Sequence, residues 1–312
     1  MISGMPCVVS TIVTSILLIA SGDRAAQPPA LLSTIDQMVS GLSVGLMVCV
    51  VLWVAFRPGC DLLVAAPLRP NQLREDSVAL AICVYLTAAL VLQAVVPWVF
   101  GTEAKVVSTV VVSLSMSGAG IAICWVLASR YFDGGVQRFL LAKESVGTLH
   151  AVAVIGVLTL LAIGLCPIVR DSFEYAVHYF VPSFKFASHP TIEALHADDR
   201  SWTLTVALWV GAVLLAPIAE EFFFRGLLQT LLVRVLRHRW AAIAVTSLAF
   251  GAIHFPQPQA ILALIVLSVL IGFAYERTGS LLPPILIHSF FNLKTLVWDA
   301  LGAFPALTGF VN

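Results

Sequence analysis

The chain repeats one feature along most of its length: a run of apolar residues about as long as a bilayer is thick. A helix needs about 20 such residues to cross the hydrocarbon. The runs fall at 5–22, 37–56, 77–100, 105–129, 146–169, 202–236, 240–255, 260–276 and 281–303. This spacing predicts an all-α fold, a polytopic transmembrane helical bundle of eight to nine spans. Composition agrees: 60% of residues are hydrophobic, 11% are charged and the mean hydropathy is +0.99. Soluble domains carry about a quarter charged residues, so a soluble enzyme, a disordered tail protein and a secreted disulfide scaffold are excluded. The 17 Lys and Arg balance 17 Asp and Glu, which leaves no net field to attract nucleic acid.

The remaining punctuation divides the chain. Residues 1–200 are expected to form N-terminal membrane helices of unassigned role, closed by an outer loop at 170–201 rich in Asp, His, Pro and Ser. Residues 201–303 form the second region. His178, His189 and His196 in the loop read as solvated residues, not metal ligands. Cys7, Cys49, Cys60, Cys83, Cys124 and Cys166 stand singly, without ligand or disulfide spacing, and read as small packing residues. The run from Val8 to Ala20 lacks a basic stretch before it, the first Arg being Arg24, and is expected to stay as a helix and not be cleaved as a signal. With the N-terminus inside, Arg57, Arg69, Arg74, Arg130, Arg138, Lys143, Arg225, Arg234, Arg237, Arg239 and Arg277 fall on the inner side. Arg24, Lys105, Arg170, Lys185 and Arg200 fall on the outer side. That bias orients the chain.

Ionisable residues inside the apolar runs mark a site. The helices between 37 and 169 hold almost none, whereas Ala219-Glu-Glu-Phe-Phe-Phe-Arg-Gly226 puts three charges within six residues. Each unpaired charge at mid-bilayer costs about 2.5–3.5 kcal/mol on insertion scales. Glu221 and Arg225 are i and i+4 on one helical face and predict a paired internal brace. Glu220 points about 100° away and is left free for chemistry. The next apolar segment carries Phe250-Gly-Ala-Ile-His254, in which Phe250 sits one turn from the imidazole and walls it. The last segment places His288 and Asn292 on one face. Counted along ideal helices from Arg237, Arg239 and Ser280, Glu220, His254, His288 and Asn292 lie about 12–25 Å deep, so they are expected to meet in a cavity opening inward, with a kink at Pro217.

Glu-Glu-x-x-x-Arg at 220–225, Phe-x-x-x-His at 250–254 and His-x-x-x-Asn at 288–292 resemble, in order and spacing, the motifs of the CAAX-protease and bacteriocin-processing family of intramembrane endopeptidases. The flanking Ala-Pro-Ile-Ala and Phe-Arg-Gly-Leu-Leu are similar too, and the resemblance covers about residues 203–298. It implies that the last four helical segments form a catalytic core. Glu220 would activate water, His254 would help to hold it, His288 and Asn292 would stabilise the oxyanion, and Glu221 and Arg225 would shape the site. The implied substrate is a peptide or protein in or at the membrane, possibly a prenylated CAAX protein, and the expected location is a bacterial cell membrane. The family has been described both as metalloproteases and as metal-independent glutamate proteases. Glu220, His254 and His288 are the set that would ligate zinc with one water. The absence of a His-Glu-x-x-His helix, and Asn292 beside His288, favour no obligatory metal.

Other readings carry less. Gly41-Leu-Ser43-Val-Gly45 fits a Gly-x-Ser-x-Gly pattern, but it lies in an apolar helix and not at a strand-to-helix elbow. Its glycines are expected to form a Gly-x-x-x-Gly packing face instead. No apolar run carries an Asp suited to aspartyl protease chemistry. A proton- or ion-coupled transporter would use such intramembrane charges, but no internal repeat or pair of broken helices is visible. A proteolytically silent scaffold or immunity protein of the same fold stays open.

Overall fold

The computed structural model describes residues 30–57, 61–63, 71–101, 104–142, 146–197 and 201–301. Apart from isolated bridges at Asn71–Phe132 and Leu141–Ser280, every regular element among them is helical. The long helices are α1 (Ala30–Ala55), α2 (Glu75–Phe100), α3 (Lys105–Tyr131), α5 (Thr148–Phe180), α7 (Trp202–Leu236), α9 (Pro258–Thr278) and α10 (Leu282–Ala300). Shorter ones are α4 (Gly135–Leu140), α6 (Pro190–Leu195) and α8 (Arg239–Ile253). Six of them, α1, α2, α3, α5, α7 and α9, are long and apolar enough to cross a bilayer. The protein is an integral, multi-pass membrane protein. Of the other expected spans, 5–22 lies outside the described residues. Helix α8 has only 15 residues, and α10 is diluted by His288, Asn292, Lys294 and Asp299.

Two expectations about the connections change. The polar stretch after residue 169 is not all loop, because α5 continues to Phe180. Arg170 Nε stands 3.7 Å from Glu174 Oε1 at i,i+4, so the charges pair along a helical end. Residues 202–236 run as one helix past Pro217. A π-helical turn at Gly211–Leu215 precedes that proline and a second, Phe222–Gln229, follows the glutamates. The wider turn frees carbonyls that a proline would otherwise strand.

Backbone hydrogen bonds tie the connections at one end of the bundle. Gln72 N donates to Tyr131 O at 2.7 Å, Ala142 N to Gly279 O at 2.7 Å and Leu281 N to Leu140 O at 3.0 Å. Contacts in the connections at the other end join His196 to Asp299 at 2.8 Å and Gln259 to the Ala187 carbonyl at 2.7 Å.

Helix α1 packs against α5. Ser43, fully buried, donates to the Leu160 carbonyl of α5 at 2.8 Å and sits where a Cβ on Gly164 would lie 2.2 Å from its Oγ. A Cβ on Gly41 or Gly45 would meet nothing within 4 Å. The expected Gly-x-x-x-Gly face is therefore corrected: the close approach uses Ser43 on α1 and the glycine on α5. Cys124 and Cys166 are buried and free, Cys49 and Cys83 exposed and free, while Cys7 and Cys60 lie outside the described residues.

Helix α9 packs against α5, α8 and α10, and α3 packs against α2, α4 and α7. Two glycines set how closely these helices approach beside the glutamates. A Cβ on Gly226 would lie 2.3 Å from the Phe139 ring, and one on Gly251 2.5 Å from Ile265 Cγ1. Phe139 stacks edge-on with Phe132 and Phe222, each at 5.2 Å, so the short α4 wedges its one buried ring under α7.

Candidate active site

The brace forms as its spacing dictates. Arg225 Nη1 donates to Glu221 Oε1 at 2.8 Å, and both side chains are fully buried. A buried pair is favoured when further hydrogen bonds match its remaining groups; here Glu221 Oε2 and Arg225 Nε have no hydrogen-bond partner among the described residues, while Arg225 Nη2 has two. Arg225 Nη2 donates to Ser268 Oγ at 2.6 Å and to the Ser268 carbonyl at 3.2 Å, both on α9. The guanidinium also lies 5.1 Å from the Phe250 ring centre. On the other side, His288 Nδ1 meets the same Glu221 Oε1 at 2.8 Å. Glu221 thus joins α7 to α10 while Arg225 joins α7 to α9.

Glu220 behaves differently from its neighbour. Its side chain keeps 29% of its surface exposed, against 0% for Glu221, and its Oε2 stands 3.9 Å from His288 Nε2. His288 therefore lies between the two carboxylates, bonded to one and facing the other.

Hydrogen-bonding chemistry distinguishes the two histidines. Glu221 Oε1 is an acceptor already taking the Arg225 hydrogen, so His288 Nδ1 must carry its own hydrogen. Its Nε2 is then a donor only when the ring is an imidazolium. His254 Nδ1 pairs with the Phe250 carbonyl at 2.8 Å. That carbonyl can only accept, so Nε2 of a neutral His254 presents a lone pair. Phe250, fully buried, lies 5.0 Å from the His254 ring and 5.8 Å from the His288 ring. It walls both imidazoles, one more than expected.

Asn292 on α10 donates from Nδ2 to the Ala212 carbonyl at 2.9 Å. Ala212 belongs to the first π turn, whose altered ladder leaves carbonyls for a side chain to use. His254 ends α8 at the end opposite Arg239, next to the 181–189 connection. There it stands near His189, whose imidazole is held below its usual range by burial and by the His254 charge.

Several residues of this arrangement carry no sequence signal of their own. Ser268 is one serine in an apolar helix, and Ala212 contributes only its carbonyl. Tyr85 of α2 and Ala219 of α7 both stand over Gly120 of α3 although 134 positions separate them (219 − 85). A second buried network, Gln229–Glu276–Arg239, links α7, α9 and α8: Gln229 Nε2 donates to Glu276 Oε1 at 2.9 Å, and Arg239 Nη1 donates to Glu276 Oε2. Gln229 lies one turn beyond Arg225 and continues its polar face.

Among the described residues, no three His, Cys, Asp or Glu side chains lie together as a metal-holding group. Of the residues considered from the sequence for zinc, Glu220 Oε2 and His288 Nε2 stand 3.9 Å apart, with His288 Nδ1 bonded to Glu221.

A membrane helical bundle with a half-open carboxylate beside a buried Glu–Arg–His cluster defines a class, an integral membrane protein with an ionic site in its last four helices. Residues 202–294 match the model of the Type II CAAX prenyl endopeptidase Rce1-like family, a protease family, so this segment carries the family resemblance expected from the motifs. The chain is also similar to the UPF0177 protein YbdI of Lactococcus lactis subsp. lactis (strain IL1403), 26% identical over 106 residues. Those residues are 34% of this chain, and the match spans about half, 56%, of that relative. No solved structure matches the chain.

Proposed function

We propose that the chain is an intramembrane endopeptidase that hydrolyses peptide bonds of membrane-associated proteins with a water activated by Glu220. The observation that carries this reading is the division of labour between adjacent glutamates: Glu221 buried and bridged to Arg225 and His288, Glu220 half-exposed and facing His288 Nε2 at 3.9 Å. The Rce1-like match over the same helices supports it.

In this mechanism the Glu220 carboxylate takes a proton from water while the water oxygen attacks the peptide carbonyl carbon. The neutral His254 accepts a hydrogen bond from that water at Nε2. The carbonyl oxygen gains the electron pair and becomes an oxyanion. His288, as an imidazolium paired with Glu221, donates to it from Nε2. Asn292 spends one amide hydrogen on Ala212 and has a second to offer. Collapse of the tetrahedral species breaks the C–N bond, and the proton held by Glu220 passes to the leaving amine. A donor aimed at the oxyanion contributes about 2.7–4 kcal/mol. No step uses a metal. The substrate class that fits is a peptide segment presented at the bilayer, prenylated CAAX termini included. The basic bias supports an orientation with the α7–α8 turn inside.

The test is cleavage of membrane-associated and prenylated peptides by purified protein in detergent, with and without strong chelation. Wild type cleaves and retains turnover after chelation, whereas Glu220→Gln loses about 10²–10⁴-fold in kcat at unchanged thermal stability. Glu220→Gln turnover within threefold of wild type removes Glu220 as the base. Turnover abolished by chelation and restored by zinc, with one metal per chain, overturns the metal-free mechanism.

A further inference from the structure

Helices α2 and α3 of the N-terminal region reach the residue that precedes Glu220. Helix α2 otherwise lies against α3 with its apolar side chains turned outward: only Val78, Ala81 and Val96 of its residues are buried, while Leu86, Leu90 and Val91 are exposed. Tyr85 departs from this pattern and is partly buried.

Its place is set by a glycine. A Cβ built on Gly120 of α3 would lie 3.4 Å from Tyr85 Cε2, 4.0 Å from Tyr85 Cδ2 and 3.5 Å from the Cβ of Ala219. The hydroxyl-bearing edge of the ring therefore covers Gly120 at the point where α3 touches Ala219, the residue just before Glu220. Helices α2, α3 and α7 meet there at Tyr85, Gly120 and Ala219. Glu220 follows Ala219 directly on α7. Glu220 also keeps an exposed face, unlike Glu221. A substrate that reaches this carboxylate must share the space beside it with the Tyr85 ring.

We infer that Tyr85 is a specificity-determining residue: its ring, seated over Gly120 and against Ala219, walls the space beside Glu220 and limits the size of the substrate side chain next to the cleaved bond. This rests on the proposed peptidase reading. The wall comes from outside residues 202–294, so it is a feature that the family-like segment does not supply by itself. Apolar pockets discriminate by about 10–200-fold per added methylene, which sets the scale of the effect.

The experiment measures kcat/KM of the full-length protein for a peptide series that varies only the residue on either side of the cleaved bond, from Gly through Val to Phe. Tyr85→Ala should raise kcat/KM for the larger side chains relative to Gly by about tenfold. Tyr85→Phe keeps the ring and should retain the wild-type size ranking. Gly120→Val, which fills the space under the ring, should displace Tyr85 and change the size ranking too. Thermal midpoints of all variants identify any that fail to fold, and Tyr85→Leu replaces Tyr85→Ala in that case. Wild-type cleavage with an identical size ranking in the Ala, Leu and Val variants overturns the role of Tyr85. No cleavage of any peptide by wild type overturns the peptidase reading instead, so the two failures are distinguishable.

Discussion

Helices α2 and α9 are similarly apolar, yet 11% of the spanning stretch of α2 is buried within the protein and 44% of that of α9. Hydropathy therefore reports the solvent of a helix, here lipid, and says little about its neighbours. The polar residues report those. Helix α9 carries Ser268 and Glu276, each committed to a side chain of α7. Helix α2 carries Tyr85 and few other buried groups. The two regions differ as wholes: α7, α8, α9 and α10 are joined by buried ion pairs, whereas α1 is tied by the partly exposed Asp36 and by Ser43, and α2 places Tyr85 beside Ala219. Polar groups inside a bilayer are kept when they are paired or used, so their density marks the part of the molecule in which exact geometry matters.

The largest test of that contrast removes Arg225. Arg225→Met has a similar length but leaves Glu221 as a buried carboxylate with only His288 Nδ1 beside it. Breaking a buried pair in this way costs about 3–5 kcal/mol. Thermal unfolding in detergent should show the loss, together with loss of peptidase activity. Ser268→Ala removes only one Arg225 partner and should cost about 1–3 kcal/mol. Equal stability of wild type and Arg225→Met would show that the brace contributes nothing and that the two regions are held in the same way.

A smaller effect is expected where the sparsely joined region meets the core. Asp36 of α1 accepts from Lys294 Nζ at 3.0 Å and from Trp298 Nε1 at 2.6 Å, both on α10, and Lys294 lies 4.9 Å from the Trp298 ring centre. Lys294 is only 9% exposed, so Asp36→Asn weakens a mostly buried contact. Hydrogen bonds to charged groups contribute about 1.5–3 kcal/mol each, and the exposed side of Asp36 reduces that here. Crosslinking of α1 to α5, through cysteines placed outside the Ser43–Gly164 contact, should fall in Asp36→Asn while α7–α9 crosslinking is unchanged. If both crosslinks fall together, α1 is part of the same cooperative unit as the core.

How much was legible follows from the range of each contact. The Glu221–Arg225 pair is four residues apart, so helical spacing alone revealed it, and the separate direction of Glu220 came with it. The three polar motifs were visible because ionisable residues are rare in apolar runs. The bridge from Glu221 to His288, the seat of Arg225 on Ser268 and the Asn292–Ala212 contact join different helices, and no local pattern encodes them. The π turns escaped because Gly211–Leu215 and Phe222–Gln229 read as ordinary apolar helix. The extent of α5 was hidden because Arg170, Asp171 and Glu174 have loop-like composition but i,i+4 helical pairing. Gly41 and Gly45 suggest a packing face from their spacing, whereas the Ser43 hydroxyl between them makes the contact.

The smallest expected effect lies where the connection beside His254 meets the core, and it concerns His189. This side chain caps α6: Thr191 N donates to His189 Nδ1 at 3.1 Å, which requires Nδ1 to be an unprotonated acceptor. Burial, with a lesser contribution from the His254 charge, holds His189 below its usual range. In the unfolded chain a histidine titrates near about 6.5. Between that value and the lower folded one, the unfolded chain binds more protons, so stability falls as pH falls. The contribution is fully present above about pH 6.5 and is lost as pH drops through the folded value. Replacing His189 by Asn keeps an N-cap acceptor and removes the titration. Glu193 and the His196–Asp299 pair at 2.8 Å remain in that variant, so their response to pH is common to both proteins. Hydrogen exchange of the α6 amides between pH 7.5 and 5.5, corrected for intrinsic exchange, should show protection dropping more steeply in wild type than in His189→Asn. The difference should be about 1 kcal/mol or less, the usual scale of a helix cap. Parallel profiles in the two proteins would mean that His189 stays neutral throughout, and that the connection beside His254 is insensitive to proton concentration.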